Sequence, residues 1–105
     1  MTYYIQISTI DWSKDRILFE DTLNTLEKLC DTQNGYILNE PVSKFGWTFI
    51  DIILKAELHM PMEQEFAEQI KKSKGSKPEE KFTNFLMKYL ENNGCKIKLK
   101  LLQAN

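Results

Sequence analysis

Residues 46–54, Gly46-Trp47-Thr48-Phe49-Ile50-Asp51-Ile52-Ile53-Leu54, form the longest nearly unbroken apolar and β-branched run of the chain. With the period of two that a strand imposes, Thr48, Ile50, Ile52 and Leu54 share one face, and Trp47, Phe49, Asp51 and Ile53 share the other. Both faces are mostly apolar. Such a strand belongs in a sheet interior with helices over one side, and its second side must be covered or used to bind something. The same alternation marks residues 2–10, where Tyr3, Ile5 and Ile7 form the core set against Tyr4, Gln6 and Ser8. It returns at 95–102, with Cys95, Ile97, Leu99 and Leu101 inward and Lys96, Lys98 and Lys100 outward. A short strand is predicted over 36–39 and the long one from 47 to about 57. Pro41, between them, removes a backbone donor and restricts its segment to an edge strand or a hairpin loop.

Elsewhere the apolar positions recur at helical spacing. Asp11 and Ser13 offer N-caps to a helix carrying Phe19, Leu23, Leu26 and Cys30, widened by Leu18 and Leu29 and stopped at Asn34-Gly35. Pro61 suits a first helical position, ahead of an apolar side made by Met62, Phe66, Ala67 and Ile70, and Lys71 to Gly75 end that helix. Ser76-Lys77-Pro78-Glu79 has capping-box spacing and opens a further helix with the stripe Phe82, Phe85, Leu86, Tyr89 and Leu90, stopped by Gly94. Strand, helix, strand, strand, helix pair, strand is the split βαβ order of the ferredoxin-like fold. The expected fold class is therefore α+β, ferredoxin-like βαββ(αα)β: a four-stranded antiparallel-type sheet with helices on one face and residues 1–105 in one domain. In that arrangement the first and third strands are expected to be central and parallel, with the second and fourth at the edges.

The composition belongs to an ordinary globular chain, with 42% hydrophobic and 28% charged residues, and a net charge of −1 gives no overall signature for nucleic acid or an anionic membrane. Most lysines fall after Leu54, in the cluster Lys71, Lys72, Lys74 and Lys77 and on the last strand. The cluster reads as a solvated loop. Cys30 and Cys95 stand far apart and outside any C-x-x-C pattern, which suits two half-buried thiols in a reducing compartment, with a bond between them left open. The first residues lack the layout of a signal peptide, no run approaches the length of a membrane span, and the expected location is cytoplasmic.

If the isoleucines face the helices, the other sheet face gathers Tyr4, Gln6 and Ser8, then Trp47, Phe49, Asp51 and Ile53, then Lys96, Lys98 and Lys100. Aromatics and a lysine row would share one surface. Three readings stand side by side: the chain covers this face itself, a protein partner or a second copy covers it, or single-stranded nucleic acid binds it. Gly46 to Ile52 resembles the longer signature of the RNA recognition motif family, with aromatics two apart on the third strand. That resemblance implies base stacking on Tyr4, Trp47 and Phe49 and phosphate contacts from the lysine row. It covers about nine residues and one tyrosine, and departs from the signature at Phe45, Thr48 and Ile52, so it is an analogy of surface chemistry.

Catalytic constellations are absent from the pattern. His59 is the only histidine, which excludes histidine triads, and His59-Met60-Pro61-Met62 reads as a loop before a helix, with a soft-metal site as the alternative. The glycines stand singly, so there is no phosphate loop. Acylphosphatases share the expected fold, but the glycine-rich loop with its anion-binding arginine has no counterpart here; Arg16, the only arginine, lies on the first helix. Cys30, at a helix C-terminus, and Cys95, pointing inward, are expected to be inert. Asp11, Asp15, Glu20 and Asp21 are most simply a helix start that complements the dipole. The chain thus reads as a non-enzymatic protein-binding module of inhibitor, immunity or adaptor type, whose partner is another protein or, as a dimer, a second copy of itself. Its partner-binding residues are Tyr4, Trp47, Phe49, Asp51, Ile53, Lys96, Lys98 and Lys100, and no cofactor, metal, membrane or small-molecule substrate is implied.

Overall fold

In a computed structural model describing residues 1–105, β1 (Tyr3–Thr9) runs into α1 (Trp12–Leu29). The next elements are β2 (Tyr36–Leu38), β3 (Val42–Lys44), β4 (Trp47–Leu54), α2 (Ala56–Glu65), α3 (Ala67–Lys71), α4 (Pro78–Asn92) and β5 (Lys98–Ala104). The fold is α+β, with one antiparallel sheet in the order β2-β4-β1-β5 and β3 paired to the start of β4. Burial along β1 alternates without exception, as the pattern of tyrosine and isoleucine requires. Tyr3, Ile5 and Ile7 from β1, Ile50, Ile52 and Leu54 from β4, and Ile97 and Leu99 meet the helical residues Phe19, Leu23, Leu26, Phe82, Leu86 and Leu90 in one buried cluster. No side chain on the opposite phase of these strands is fully buried. The helices therefore cover one face of the sheet only.

Two topological expectations are corrected. The sheet has five strands rather than four, because Val42–Lys44 pairs with Phe49 to Trp47 instead of forming a plain loop. Pro41 explains the break: lacking an amide hydrogen, it interrupts the edge and leaves two short strands on one partner. The central strands β1 and β4 are antiparallel, not parallel. The crossover through α1 sets β2 parallel to β1, and the tight hairpin that follows must reverse the chain.

Helix boundaries moved for identifiable reasons. Asp11 caps α1 through its carboxylate, which accepts from Lys14 N. The helix stops at Cys30, ahead of Asn34-Gly35, since Asp31 already takes the left-handed conformation with φ +52°. Gly35 has another use: a Cβ there would stand 2.6 Å from the Leu58 Cβ, so only glycine admits α2 that close. Pro61 lies inside α2, and β4 ends at Leu54 so that α2 can start at Ala56. The early start carries Leu58, His59 and Met62 into the core, which offsets the backbone bond lost at the proline. A break at Phe66 separates α2 from α3, and Ala67 stays exposed while Ile70 is buried. The cap of α4 sits one residue later than expected: Lys77 is N-cap, and the Glu80 carboxylate accepts from Ser76 N, Ser76 Oγ and Lys77 N. These bonds hold the Glu80 carboxyl below its usual range.

Candidate functional site

His59, expected in a loop, is instead 1% exposed. Its Nδ1 lies 2.7 Å from Glu63 Oε1, its Nε2 lies 2.7 Å from the Met1 carbonyl oxygen, and its ring stacks on Tyr3 at 4.0 Å between centroids. Tyr3 donates to the other Glu63 oxygen at 2.9 Å, and burial followed by this carboxylate pushes its phenol well above the usual range. The carbonyl only accepts, so Nε2 donates to it. Every polar atom of the group is engaged within the fold. Met62 is buried whereas Met60 is 53% exposed, so the histidine and its neighbouring methionines are not brought together as a ligand set. The network ties the N-terminus to α2.

The cysteines are free; Cys95 is buried and Cys30 half-buried. Burial, with a smaller contribution from the Asp15 carboxylate, raises the Cys95 thiol to about 11, and its Sγ donates to the Asp15 carbonyl at 3.7 Å. Burial and then Glu65 raise Cys30 as well.

Attention falls on the sheet face without helices. Register places Tyr4 beside Ile53 and Ile53 beside Ile37, so these three share one row. The next row is Asp51, Gln6 and Lys100, and the next is Val42, Phe49, Ser8 and Lys98. Tyr4, Phe49 and Ile53 are half-buried by their row neighbours, while Trp47, Asp51, Lys98 and Lys100 are exposed. Seven of the eight residues anticipated for this surface are strand residues on the same face. Lys96 is the exception: it lies two residues ahead of β5, in the segment that follows Gly94. A shallow concavity of about 440 Å³ opens on this face, lined by Gln6, Asn39, Glu40, Val42, Lys44, Phe49 and Asp51. Its charged groups are two carboxylates and one lysine.

The sequence pattern alone did not single out the tip of the β3–β4 hairpin. Phe45 is 92% exposed and sits at φ +55°, followed by Gly46 at φ +80°. Positive φ at both central residues suits the right-handed twist of a two-residue hairpin, and glycine takes it freely whereas phenylalanine does not. Val42, at 61% exposure, and Trp47, at 43%, extend the apolar surface from the tip onto the face. Ile10, just past β1 and 74% exposed, adds to the same end. Gly46 before an apolar strand and after Val42-Ser43-Lys44 was the available signal for this hairpin.

Compared with models of protein families, with curated proteins and with solved structures, the chain shows no significant match. No helix is long and apolar enough to cross a membrane.

Proposed function

We propose that this chain is a non-enzymatic protein-binding module of the ferredoxin-like type, acting in the cytoplasm as an inhibitor, immunity protein or adaptor. The strand order β2-β4-β1-β5 supports the fold assignment, with β3 as an addition to the second hairpin strand. The observation that carries the function is an apolar and aromatic sheet face that nothing in the chain covers, ending in a hairpin that holds Phe45 in solvent. Exposed apolar groups gathered on one uncovered face, as Val42, Phe45 and Trp47 are at its hairpin end, mark an association site. Trp47 is the anchor, with Phe49, Tyr4 and Ile53 filling the centre. Truncating a buried aromatic anchor at an interface costs about 2 kcal/mol or more of binding energy. Asp51, Lys98 and Lys100 set orientation at the rim.

The test is association measured on the wild type and on Trp47→Ala, with circular dichroism as the folding control. The proposal expects a folded variant that no longer binds. Equal binding by the two proteins would overturn it.

A second reading, single-stranded nucleic acid, draws on Tyr4 and Phe49 lying on adjacent strands with the lysines of β5 beyond them. It demands affinity for mixed single strands that falls steeply with salt and weakens in Lys98→Ala. Absence of binding at low salt would remove it.

A further inference from the structure

Charge is divided across the open sheet face. Lys98 and Lys100 stand on β5 at one side, and Asp51 on β4 and Glu40 between β2 and β3 stand toward the other, all four exposed. Apolar groups are split in the same way, with Tyr4 on β1 opposite Ile53 on β4, and Ile10, by extension of the register, opposite Trp47. We propose that the partner is a second copy of this chain, stacked face to face about a twofold axis parallel to the strands. This rests on the protein-binding role of the same face.

Such an axis lays β5 of one copy over the β2–β3 edge of the other, and β1 over β4, while every residue keeps its level along the strands. Lys100, level with Gln6 and Asp51, then meets Glu40 and Asp51 of the second copy. Tyr4 covers Ile53, and Trp47 covers Ile10. Each pairing occurs twice, as an isologous interface requires. Sheets pack in this aligned manner about 10 Å apart, a gap that interdigitating side chains fill.

The alternatives set like charges together. A twofold axis in the same plane but perpendicular to the strands lays β5 on β5, lysines on lysines. Antiparallel edge pairing of two β5 strands brings the same lysines side by side. The opposite edge is interrupted at Pro41. In the favoured arrangement one like-charge contact remains, Lys44 over Lys96, at the solvated rim. Strand spacing and rise give the face roughly 20 by 25 Å. That is modest beside the roughly 800 Å² per partner of a standard interface, so the dimer should be of micromolar strength.

Sedimentation equilibrium from micromolar to millimolar concentration tests the proposal. The wild type should show a monomer–dimer equilibrium. Two variants, Lys98→Glu with Lys100→Glu and Glu40→Lys with Asp51→Lys, should each dissociate at least about tenfold more readily. Mixed in equal amounts they should form a heterodimer of near wild-type affinity, because each cross-contact again opposes charges. Lys44→Glu should tighten the dimer a few-fold. All five positions are exposed, and circular dichroism checks the fold. A dimer indifferent to the reversals, or a mixture that fails to recover, overturns this pairing. A monomeric wild type overturns it too: if the chain still binds a different protein in a Trp47-dependent way, the broader role survives, and if it binds nothing, both fall.

Discussion

The two faces of β1 and β4 share one backbone and differ in everything else. Ile5, Ile7, Ile50 and Ile52 are at most 1% exposed, whereas their sequence neighbours Gln6, Ser8, Phe49 and Asp51 stay half-buried or exposed. The first set is identical in character at every position; the second mixes aromatic, amide, hydroxyl and carboxylate. A closed core demands shape and apolarity, or polar groups as fully paired as those of His59, because a buried unpaired polar group is costly and a cavity is not refilled. A face that meets solvent or a partner is free to carry specificity.

The contrast is broken if the open face proves as important to stability as the closed one. Phe82, fully buried against Tyr3, should lose about 3 to 5 kcal/mol of unfolding free energy on change to Ala in urea titration. Phe49→Ala should stay within about 1 kcal/mol in the same measurement; a loss equal to that of Phe82→Ala would mean that the open face is core. Between these lies His59→Ala, which removes the stack on Tyr3 and two hydrogen bonds and should cost about 2 to 3 kcal/mol.

The closed face should also announce itself through pH. The Cys95 thiol is raised from 9.0 to about 11, so the folded state holds its proton where the unfolded state releases it. Its contribution is complete below pH 9 and fades as pH rises from 9 to about 11. A Cys95→Ala variant should show a shallower alkaline decline in urea titrations across that interval; an unchanged slope would place the titration elsewhere. The smallest effect belongs to the hairpin tip. Phe45→Asn puts a residue tolerant of positive φ before Gly46 and should raise stability by about 0.5 to 1 kcal/mol while weakening any association that uses the ring.

Much of the fold was legible where one signal had no rival. The alternation of Tyr3, Ile5 and Ile7, the cap at Asp11 and the stripe from Phe82 to Leu90 each read the same way locally and globally. Failures came where a local rule met a tertiary demand. Pro61 looks like a helix start by its own preference, yet burial of Leu58, His59 and Met62 draws the helix back by five residues. Gly35 looks like a helix stop, yet it serves the close approach of Leu58. Of the open face, seven of the eight anticipated residues follow from strand phase, and Lys96 falls outside because β5 starts only at Lys98. Phe45 and Val42 do not follow from it, since the short strand behind Pro41 that pairs with the start of β4 gives no alternation of its own, and Ile10 lies just past the end of β1.

The sequence by itself determined which residues face inward on β1, β4 and α4, because periodicity is a local property of the backbone. Only the tertiary structure decided in which direction the central strands run, that Val42–Lys44 adds a fifth strand, and that no segment returns to cover Trp47 and Phe49. Those outcomes depend on contacts between residues distant in the chain, here Tyr4 with Ile53 and Gln6 with Lys100, which no local pattern encodes.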